Sequence, residues 1–157
     1  MQDQVMALKN KGISSNYVGG GQDINKILNQ AFNGELKLLY ITPEFAAFYF
    51  ELIKKIHQNC PGGIRCIAID EAHCISQWGH DFRPTYQELK KLRSISEDIP
   101  FLAVSATATP QVQQDIIESL QLKNPALTLA PLDKENLYIE LKRKTNIKDD
   151  IKECSIK

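Results

Sequence analysis

The sequence predicts an α/β fold built on a parallel β-sheet. Residues 64–69 form an apolar run rich in β-branched side chains, which is typical of a strand buried on both faces of such a sheet. Short apolar runs, polar loops and helical patterns alternate along the whole chain. A Thr-Pro pair, the usual start of a helix, follows two of the predicted strands, at Thr42 and Thr109.

The first part of the chain predicts two helices and two strands. Residues 1–11 follow a helical pattern, and residues 13–18 are a short strand candidate. The glycines at 19–21 indicate a flexible turn and not a phosphate loop, because neither Lys-Ser nor Lys-Thr follows them. Residues 22–33 carry apolar side chains at helical spacing, and residues 36–41 predict the next buried strand.

The same alternation continues in the second part. Thr42 caps a predicted helix that extends to about residue 57, and the strand at 64–69 follows it. The strand at 101–104 then precedes a helix capped by Thr109. The order of elements is therefore that of a parallel sheet covered by helices.

The composition limits the class of protein. The chain has 157 residues, of which 43% are hydrophobic and 24% charged, as is usual for one soluble globular domain. Nineteen basic residues balance nineteen acidic ones, so a contact with nucleic acid would have to be local. The basic cluster at residues 90–93 is typical of a solvated helix face. We expect neither secretion nor a membrane span, because no signal-like segment and no run of about 20 apolar residues occurs.

The cysteines predict reduced thiols and no zinc in this segment. The four cysteines show no paired spacing, and two of them lie in or beside the predicted strand at 64–69. His57 and Cys60 could form half of a zinc site, but no second half follows at ligand spacing.

Two adjacent carboxylates, Asp70 and Glu71, directly follow the strand at 64–69. Open α/β sheets bind ligands at the carboxyl ends of their strands. In nucleotide hydrolases one such carboxylate holds the magnesium ion on the phosphates, and the other orients and deprotonates the attacking water. A strand-ending turn with two solvated acids is the alternative that these two residues leave open.

An aromatic-rich loop, residues 74–84, comes next with the sequence Cys-Ile-Ser-Gln-Trp-Gly-His-Asp-Phe-Arg-Pro. It contains Trp78, the only tryptophan of the chain. Aromatic rings stack on bases, and the Arg83 guanidinium can take a phosphate, so the loop suits single-stranded nucleic acid. The alternative is that Trp78 and Phe82 only fix the loop to the core.

These segments resemble the RecQ family of DNA helicases. Asp70-Glu71-Ala72-His73, a DEAH box, and the aromatic-rich loop look like the family's motif II and the loop after it. Residues 1–5 resemble motif Ia, residues 40–44 motif Ib and residues 105–109 motif III. All four motifs stand in the family's order, so the resemblance covers about residues 1–145. The tail from 136 to 145 looks most like the Werner-type branch.

The resemblance implies a RecA-like domain of an ATP-dependent DNA helicase that moves from 3′ to 5′. It implies that Asp70 ligates Mg²⁺ on ATP and that Glu71 is the base for the attacking water. Neighbouring residues that leave a strand point to different sides, which suits this division of roles. His73 would link the nucleotide site to the DNA side, or be a histidine satisfied in the core. Ser105 and Thr107 would couple hydrolysis to strand movement, or be a strand-end cap.

The resemblance also implies contacts with single-stranded DNA and junction-containing duplexes. Gln2 and Thr42 would contact the DNA backbone, as amides and hydroxyls often do. In the aromatic-rich loop, Trp78, Phe82 and Arg83 would sense single strands. The residues that would shape this loop are Gln77, His80 and Asp81.

One part of the family pattern is absent from the sequence. Neither Gly-Lys-Ser nor Gly-Lys-Thr occurs, so no residue can act as the P-loop lysine. We therefore expect residues 1–145 to be a first RecA-like domain without its P-loop portion, and 146–157 a linker or the start of the second such domain. We expect the parent protein to be the enzyme and this chain alone to be inactive. The location would be nuclear in a eukaryote, as the Werner-like tail suggests, and otherwise cytoplasmic.

Two other functions would suit parts of the sequence. A non-catalytic DNA-binding or regulatory module would share the fold and lack turnover, which suits the absent P-loop. A flavodoxin-like signalling domain with an acidic pocket would explain the alternation of strands and helices, but not the tryptophan loop.

Overall fold

A computed structural model describes residues 1–130 and Asn136. The strands are β1 Ser15–Tyr17, β2 Leu38–Tyr40, β3 Ile67–Ile69 and β4 Phe101–Ala103. The α-helices are α1 Gln2–Asn10, α2 Ile24–Phe32, α3 Pro43–Phe48, α4 Phe50–Asn59, α5 Pro84–Gln87 and α6 Pro110–Ser119. Two 3-10 helices span Ala72–Ile75 and Glu88–Ser94. Residues Met1–Pro125 form one compact unit. The expected domain boundary near residue 145, the expected linker at 146–157 and the segment resembling the Werner-type branch lie outside the described residues, apart from Asn136.

The strands are parallel, which confirms the predicted α/β class. β1 pairs with β2 so that Ser15 lies opposite Leu38, and β3 pairs with β4 so that Ile67 lies opposite Phe101. The described residues form two two-stranded sheets, whereas the sequence pattern predicted one sheet. The β3–β4 pair carries the acidic pair at the carboxyl end of β3.

The expectation of strands buried on both faces is wrong for this chain. Ile69 is buried in β3, but its neighbour Ala68 is exposed. Leu38 of β2 is 43% exposed, and Leu102 in β4 and Val104 directly after it are 53% and 46% exposed. The reason is geometric, because within the described residues each strand has only one strand neighbour.

The predicted helix starts are confirmed, and one predicted helix is divided. The Thr42 hydroxyl accepts a hydrogen bond from the amide of Phe45 at 3.1 Å, and the Thr109 hydroxyl accepts one from Val112 at 3.4 Å. The single helix expected between Thr42 and about residue 57 is broken at Tyr49, which ends α3 and begins α4. Aromatic residues are weaker helix formers than Ala or Leu, and four of them stand between residues 45 and 50.

The main core lies under the turn that follows β3. Ala72 and Leu120 are fully buried, and Ile75 is almost fully buried. The other core residues are Ala46, Ile53, Ile69, Cys74, Tyr86, Leu89, Leu92, Ile95, Ile99, Val112 and Ile116. The turn that bears the acidic pair is therefore attached to the best-packed part of the molecule.

Arg93 differs from the expectation of a solvated basic face. Its guanidinium lies 3.8 Å from the centre of the Phe101 ring and donates hydrogen bonds to the carbonyls of Leu120 and Ile99, both at 3.3 Å. Burial lowers the pKa of this guanidinium. Arg93 therefore links the end of α6 to β4.

Two further observations concern the cysteines and the helices. Cys60, Cys66 and Cys74 are free thiols, and Cys66 is exposed although the sequence placed it in a buried strand. Within the part of the chain that the structure describes, no helix has the length and apolar character needed to cross a membrane.

Candidate functional site: the acidic turn and the aromatic-rich loop

The acidic pair sits on a sharp turn at the end of β3. Glu71 has φ 51° and ψ 39°, a left-handed conformation that is uncommon for a residue other than glycine. Its amide donates a hydrogen bond to Oδ1 of Asp70 at 2.9 Å. The turn redirects the chain from β3 into the 3-10 helix Ala72–Ile75, and both carboxylates remain exposed. Backbone strain of this kind is concentrated at functional sites.

Asp70 fits a magnesium ion that is held mainly by phosphates and water. One of its carboxylate oxygens accepts a hydrogen bond from the amide of Glu71, and the residue is exposed. In the described region, no three His, Cys, Asp or Glu side chains gather into a metal cage. Mg²⁺ bound to a nucleotide usually takes one or two carboxylates and keeps several waters, so a single open carboxylate is the expected ligand.

His73 joins three of the predicted site segments. Its imidazole is buried, with 6% of the side chain exposed, and Nδ1 lies 3.3 Å from Oε2 of Glu71. The same nitrogen lies 3.0 Å from Oγ of Ser105. Ser105 also accepts a hydrogen bond from the amide of Thr107 at 3.3 Å. His73 is thus a satisfied buried histidine and, at the same time, a direct neighbour of the catalytic candidate Glu71.

Backbone hydrogen bonds between the two strand ends explain this arrangement. The Val104 amide donates to the carbonyl of Ile69, and the Ala72 amide donates to the carbonyl of Val104, both at 2.9 Å. The ladder of β3 and β4 therefore continues past both strands. It brings the segment of Ser105 beside the segment of His73.

The aromatic-rich loop holds its tryptophan in solvent. Trp78 is 79% exposed, so it does not fix the loop to the core. Phe82 is half-buried, whereas Gln77, His80 and Asp81 are exposed. The alternative that both aromatic side chains serve only to hold the loop is therefore excluded for Trp78.

The loop passes directly over His73. The His80 ring stacks on the His73 ring with 4.6 Å between centroids and 17° between planes. Gly79 lies so close that a Cβ atom there would stand 2.5 Å from the carbonyl oxygen of His73. The loop and the DEAH turn are therefore in contact through both a ring pair and the backbone.

Arg83 connects the aromatic-rich loop to α3. Its Nη2 donates to Oε1 of Glu44 at 2.9 Å, and the guanidinium lies 5.7 Å from the centre of the Tyr86 ring. The backbone amide of Glu44 donates to the Glu44 carboxylate and lowers its pKa, and contacts with Thr42 and Arg83 lower that pKa further. Glu44 belongs to the segment that resembles motif Ib, but the sequence did not predict that it pairs with Arg83, which is 39 positions away.

The remaining predicted residues are more dispersed. Gln2 is exposed at the start of α1 and makes no hydrogen bond with the other predicted site residues in the described structure. Thr42 is half-buried, and its hydroxyl caps α3. Asp81 lies near Cys74, and burial together with the Asp81 charge raises the pKa of this thiol. The structure thus brings together the DEAH turn, the motif III segment and the aromatic-rich loop, but not Gln2.

We expect Gly79→Ala to destabilise the loop. The added methyl group would meet the carbonyl of His73, which is backbone and cannot move away cheaply. Thermal unfolding should show a loss on the order of 1–3 kcal/mol, as for other overpacked sites. Gly20→Ala is the matched control, because nothing lies within 4 Å of a Cβ atom there. Equal melting temperatures for the two variants would contradict the close approach.

The chain matches known proteins over almost its full length. Residues 1–116 match the DEAD/DEAH box helicase family. The chain is 41% identical to the bifunctional 3′-5′ exonuclease/ATP-dependent helicase WRN of Mus musculus, covering 97% of this chain and 11% of that protein. It is 41% identical to the ATP-dependent helicase SGS1 of Saccharomyces cerevisiae, covering 92% and 10%. It is 40% identical to the ATP-dependent DNA helicase RecQ of Haemophilus influenzae, covering 92% and 23%.

The chain therefore spans between about a tenth and a quarter of the length of these relatives. The similar identities to WRN and SGS1 do not separate a Werner-type branch from its neighbours, so that finer assignment stays a prediction. The match of residues 1–116 shows that the chain belongs to the DEAD/DEAH box helicase family, and the identities of 40–41% to WRN, SGS1 and RecQ place it, within that family, among the RecQ helicases.

Proposed function

We propose that this chain supplies the water-activating carboxylate and the DNA-sensing loop of an ATP-dependent DNA helicase that acts from 3′ to 5′ in replication, recombination and repair. The observation that carries the proposal is the position of His73. Its ring contacts Glu71 on one side and Ser105 and the His80 ring on the others. A change in the aromatic-rich loop can therefore reach Glu71, the proposed base, through one buried side chain.

In this proposal Asp70 and Glu71 divide the hydrolytic work. Asp70 would hold Mg²⁺, which supplies charge stabilisation to the phosphates when ATP is bound. Glu71 would accept a proton from the attacking water, and its exposed carboxylate is accessible for that role. His73, with Ser105 and Thr107 behind it, would hold the Glu71 side chain in position. The phosphate-cradling lysine would come from a segment outside these 157 residues, since no Gly-Lys-Ser or Gly-Lys-Thr occurs in them.

The DNA side of the proposal rests on exposed groups. Trp78 would stack on a base, with Phe82 beside it, and Arg83 would exchange Glu44 for a phosphate. The Thr42 hydroxyl accepts a hydrogen bond from the amide of Phe45. The proton of this hydroxyl therefore remains available to a phosphate oxygen. The further residues proposed to shape or contact the strand are Gln2, Gln77, His80 and Asp81.

The wider setting follows from the family. We propose that residues 1–145 are part of a first RecA-like domain and that 146–157 are the linker or the start of a second such domain. The DNA that the protein binds would be single strands and junction-containing duplexes. A nuclear location is proposed for a eukaryotic source and a cytoplasmic one otherwise. A binding module without turnover is the second candidate for the isolated chain, because the lysine motif is missing from it.

A chimera tests this proposal. The matching stretch of the Haemophilus influenzae RecQ, which is 40% identical over 149 residues, would be replaced by this chain. We expect the chimera to hydrolyse ATP in a DNA-dependent manner and to unwind a tailed duplex. We expect the 157-residue chain alone to bind single-stranded DNA without measurable ATP turnover. A folded chimera that lacks DNA-stimulated hydrolysis would contradict the proposal, as would clear turnover by the isolated chain.

A further inference from the structure

We propose that Asp115, on α6, is a positioning residue that holds the aromatic-rich loop through the hydroxyl of Ser76 and thereby fixes where Trp78 meets DNA. The inference rests on the proposed function of that loop and deepens it. Neither the DEAH turn nor motif III contains Asp115, and no sequence pattern marked it.

Ser76 is the first step of the argument. It is a polar residue at the base of the loop that is only 2% exposed. Its hydroxyl donates a hydrogen bond to Oδ2 of Asp115 and accepts one from the backbone amide of Trp78 at 3.1 Å. A buried hydroxyl that uses both of its hydrogen-bonding roles is well determined in position. Its partner Trp78 is the residue that the loop presents to solvent.

Asp115 is the second step. Its other oxygen, Oδ1, accepts a hydrogen bond from Nε2 of Gln111 at 3.0 Å, one helical turn earlier. Both carboxylate oxygens are therefore engaged, and the bond from Ser76 is charge-assisted, which makes it roughly twice as strong as a neutral one. α6 itself is fixed by the buried Val112 and Ile116, so Asp115 is a rigid support.

The third step concerns what lies around the bond. An open pocket of about 190 Å³ lies between the base of the loop and α6. Its lining residues include Gln77, Trp78, Gln87, Asp115, Glu118 and Ser119. The Ser76–Asp115 bond lies beside this pocket and is the link between α6 and the residue that accepts the Trp78 amide, whereas the contacts of Gly79 and His80 with His73 hold the next part of the loop. α6 begins at Pro110, shortly after Ser105, so the bond also ties the loop to the motif III segment.

The full 157-residue chain labelled with ¹⁵N-tryptophan tests the proposal. Trp78 is the only tryptophan, so the spectrum contains one backbone amide and one indole signal. We expect the Trp78 amide to have an order parameter of about 0.85, the value of rigid backbone, and to fall below about 0.6 in Asp115→Ala. Ser76→Ala should lower the order at least as far, because it removes the bond to Asp115 and also the acceptor of the Trp78 amide. Asp115→Glu, which keeps the carboxylate, should restore part of the order.

Glu118→Ala is the matched control. Glu118 lies on the same helix and lines the same pocket, and the substitution removes the same charge, but its carboxylate pairs with Gln114 and not with Ser76. Circular dichroism would fix a temperature at which all variants are folded. A flexible Trp78 amide in the unsubstituted chain, or equal order in Asp115→Ala and Glu118→Ala, would overturn the proposal.

Addition of an oligo(dT) strand separates this proposal from the one on which it rests. If the Trp78 signals do not shift in the unsubstituted chain but the amide still loosens in Asp115→Ala, the restraint stands and the DNA-binding role of the loop fails. If the signals shift equally with and without Asp115, and the amide order is the same, the restraint fails and DNA binding stands. We expect a shift in the unsubstituted chain and an oligo(dT) affinity several-fold lower in Asp115→Ala.

Discussion

Replacement of Glu71 by Gln in the chimera should lower the kcat of DNA-stimulated ATP hydrolysis by about 10²–10⁴-fold, the usual contribution of a positioned general base. The amide cannot accept the proton of the attacking water at neutral pH. The amide has the size of the carboxylate. It can also keep the polar contact with His73, whose Nδ1 lies 3.3 Å from Oε2 of Glu71. The KM for ATP should therefore change little. The measurement is steady-state hydrolysis with saturating DNA.

Glu97→Gln is the control for this prediction. Glu97 is 86% exposed in a surface pair with Lys123, far in sequence from the DEAH turn, and the substitution changes the charge by the same amount. We expect its kcat to equal that of the unsubstituted chimera. If Glu71→Gln retained most of its turnover, or if only its KM changed, Glu71 would be a structural or binding residue and another group would have to activate the water.

The sequence predicted the local parts of this site well, because each depends on residues that are close along the chain. The Thr-Pro helix starts at Thr42 and Thr109 need only a hydroxyl and an amide three positions later. The acidic pair and the hydroxyl of Ser105 were both expected at strand ends, where parallel strands place them together. The class of fold followed from the same alternation of short elements.

The parts that the sequence did not predict depend on contacts between distant segments. Ser76 meets Asp115, and Arg83 meets Glu44, each across 39 positions of the chain. A single sequence shows which residues can form a hydrogen bond but not which pair the fold brings together. The burial of β2 and β3 was overestimated for a related reason. An apolar run shows that a strand is suited to burial, but it does not show which other segment packs on it.

Trp78→Ala in the chimera should weaken binding of single-stranded DNA by about 5- to 150-fold, which corresponds to the roughly 1–3 kcal/mol that stacking of one base contributes. The side chain is 79% exposed, so its removal opens no cavity and the melting temperature should stay the same. The bond to Ser76 uses the backbone amide of residue 78 and survives the substitution. The measurement is fluorescence anisotropy of a labelled oligo(dT).

Trp78→Phe is the matched variant for the stacking argument, because it keeps an aromatic face at the same place. We expect it to recover most of the affinity. Stacking depends weakly on ionic strength, whereas phosphate contacts weaken steeply with added salt. The ratio between the affinities of the unsubstituted protein and Trp78→Ala should therefore persist as salt is raised, while both affinities fall. A ratio of one at every salt concentration would mean that the exposed ring does not touch the strand, and that Arg83 and the other polar groups of the loop carry the contact alone.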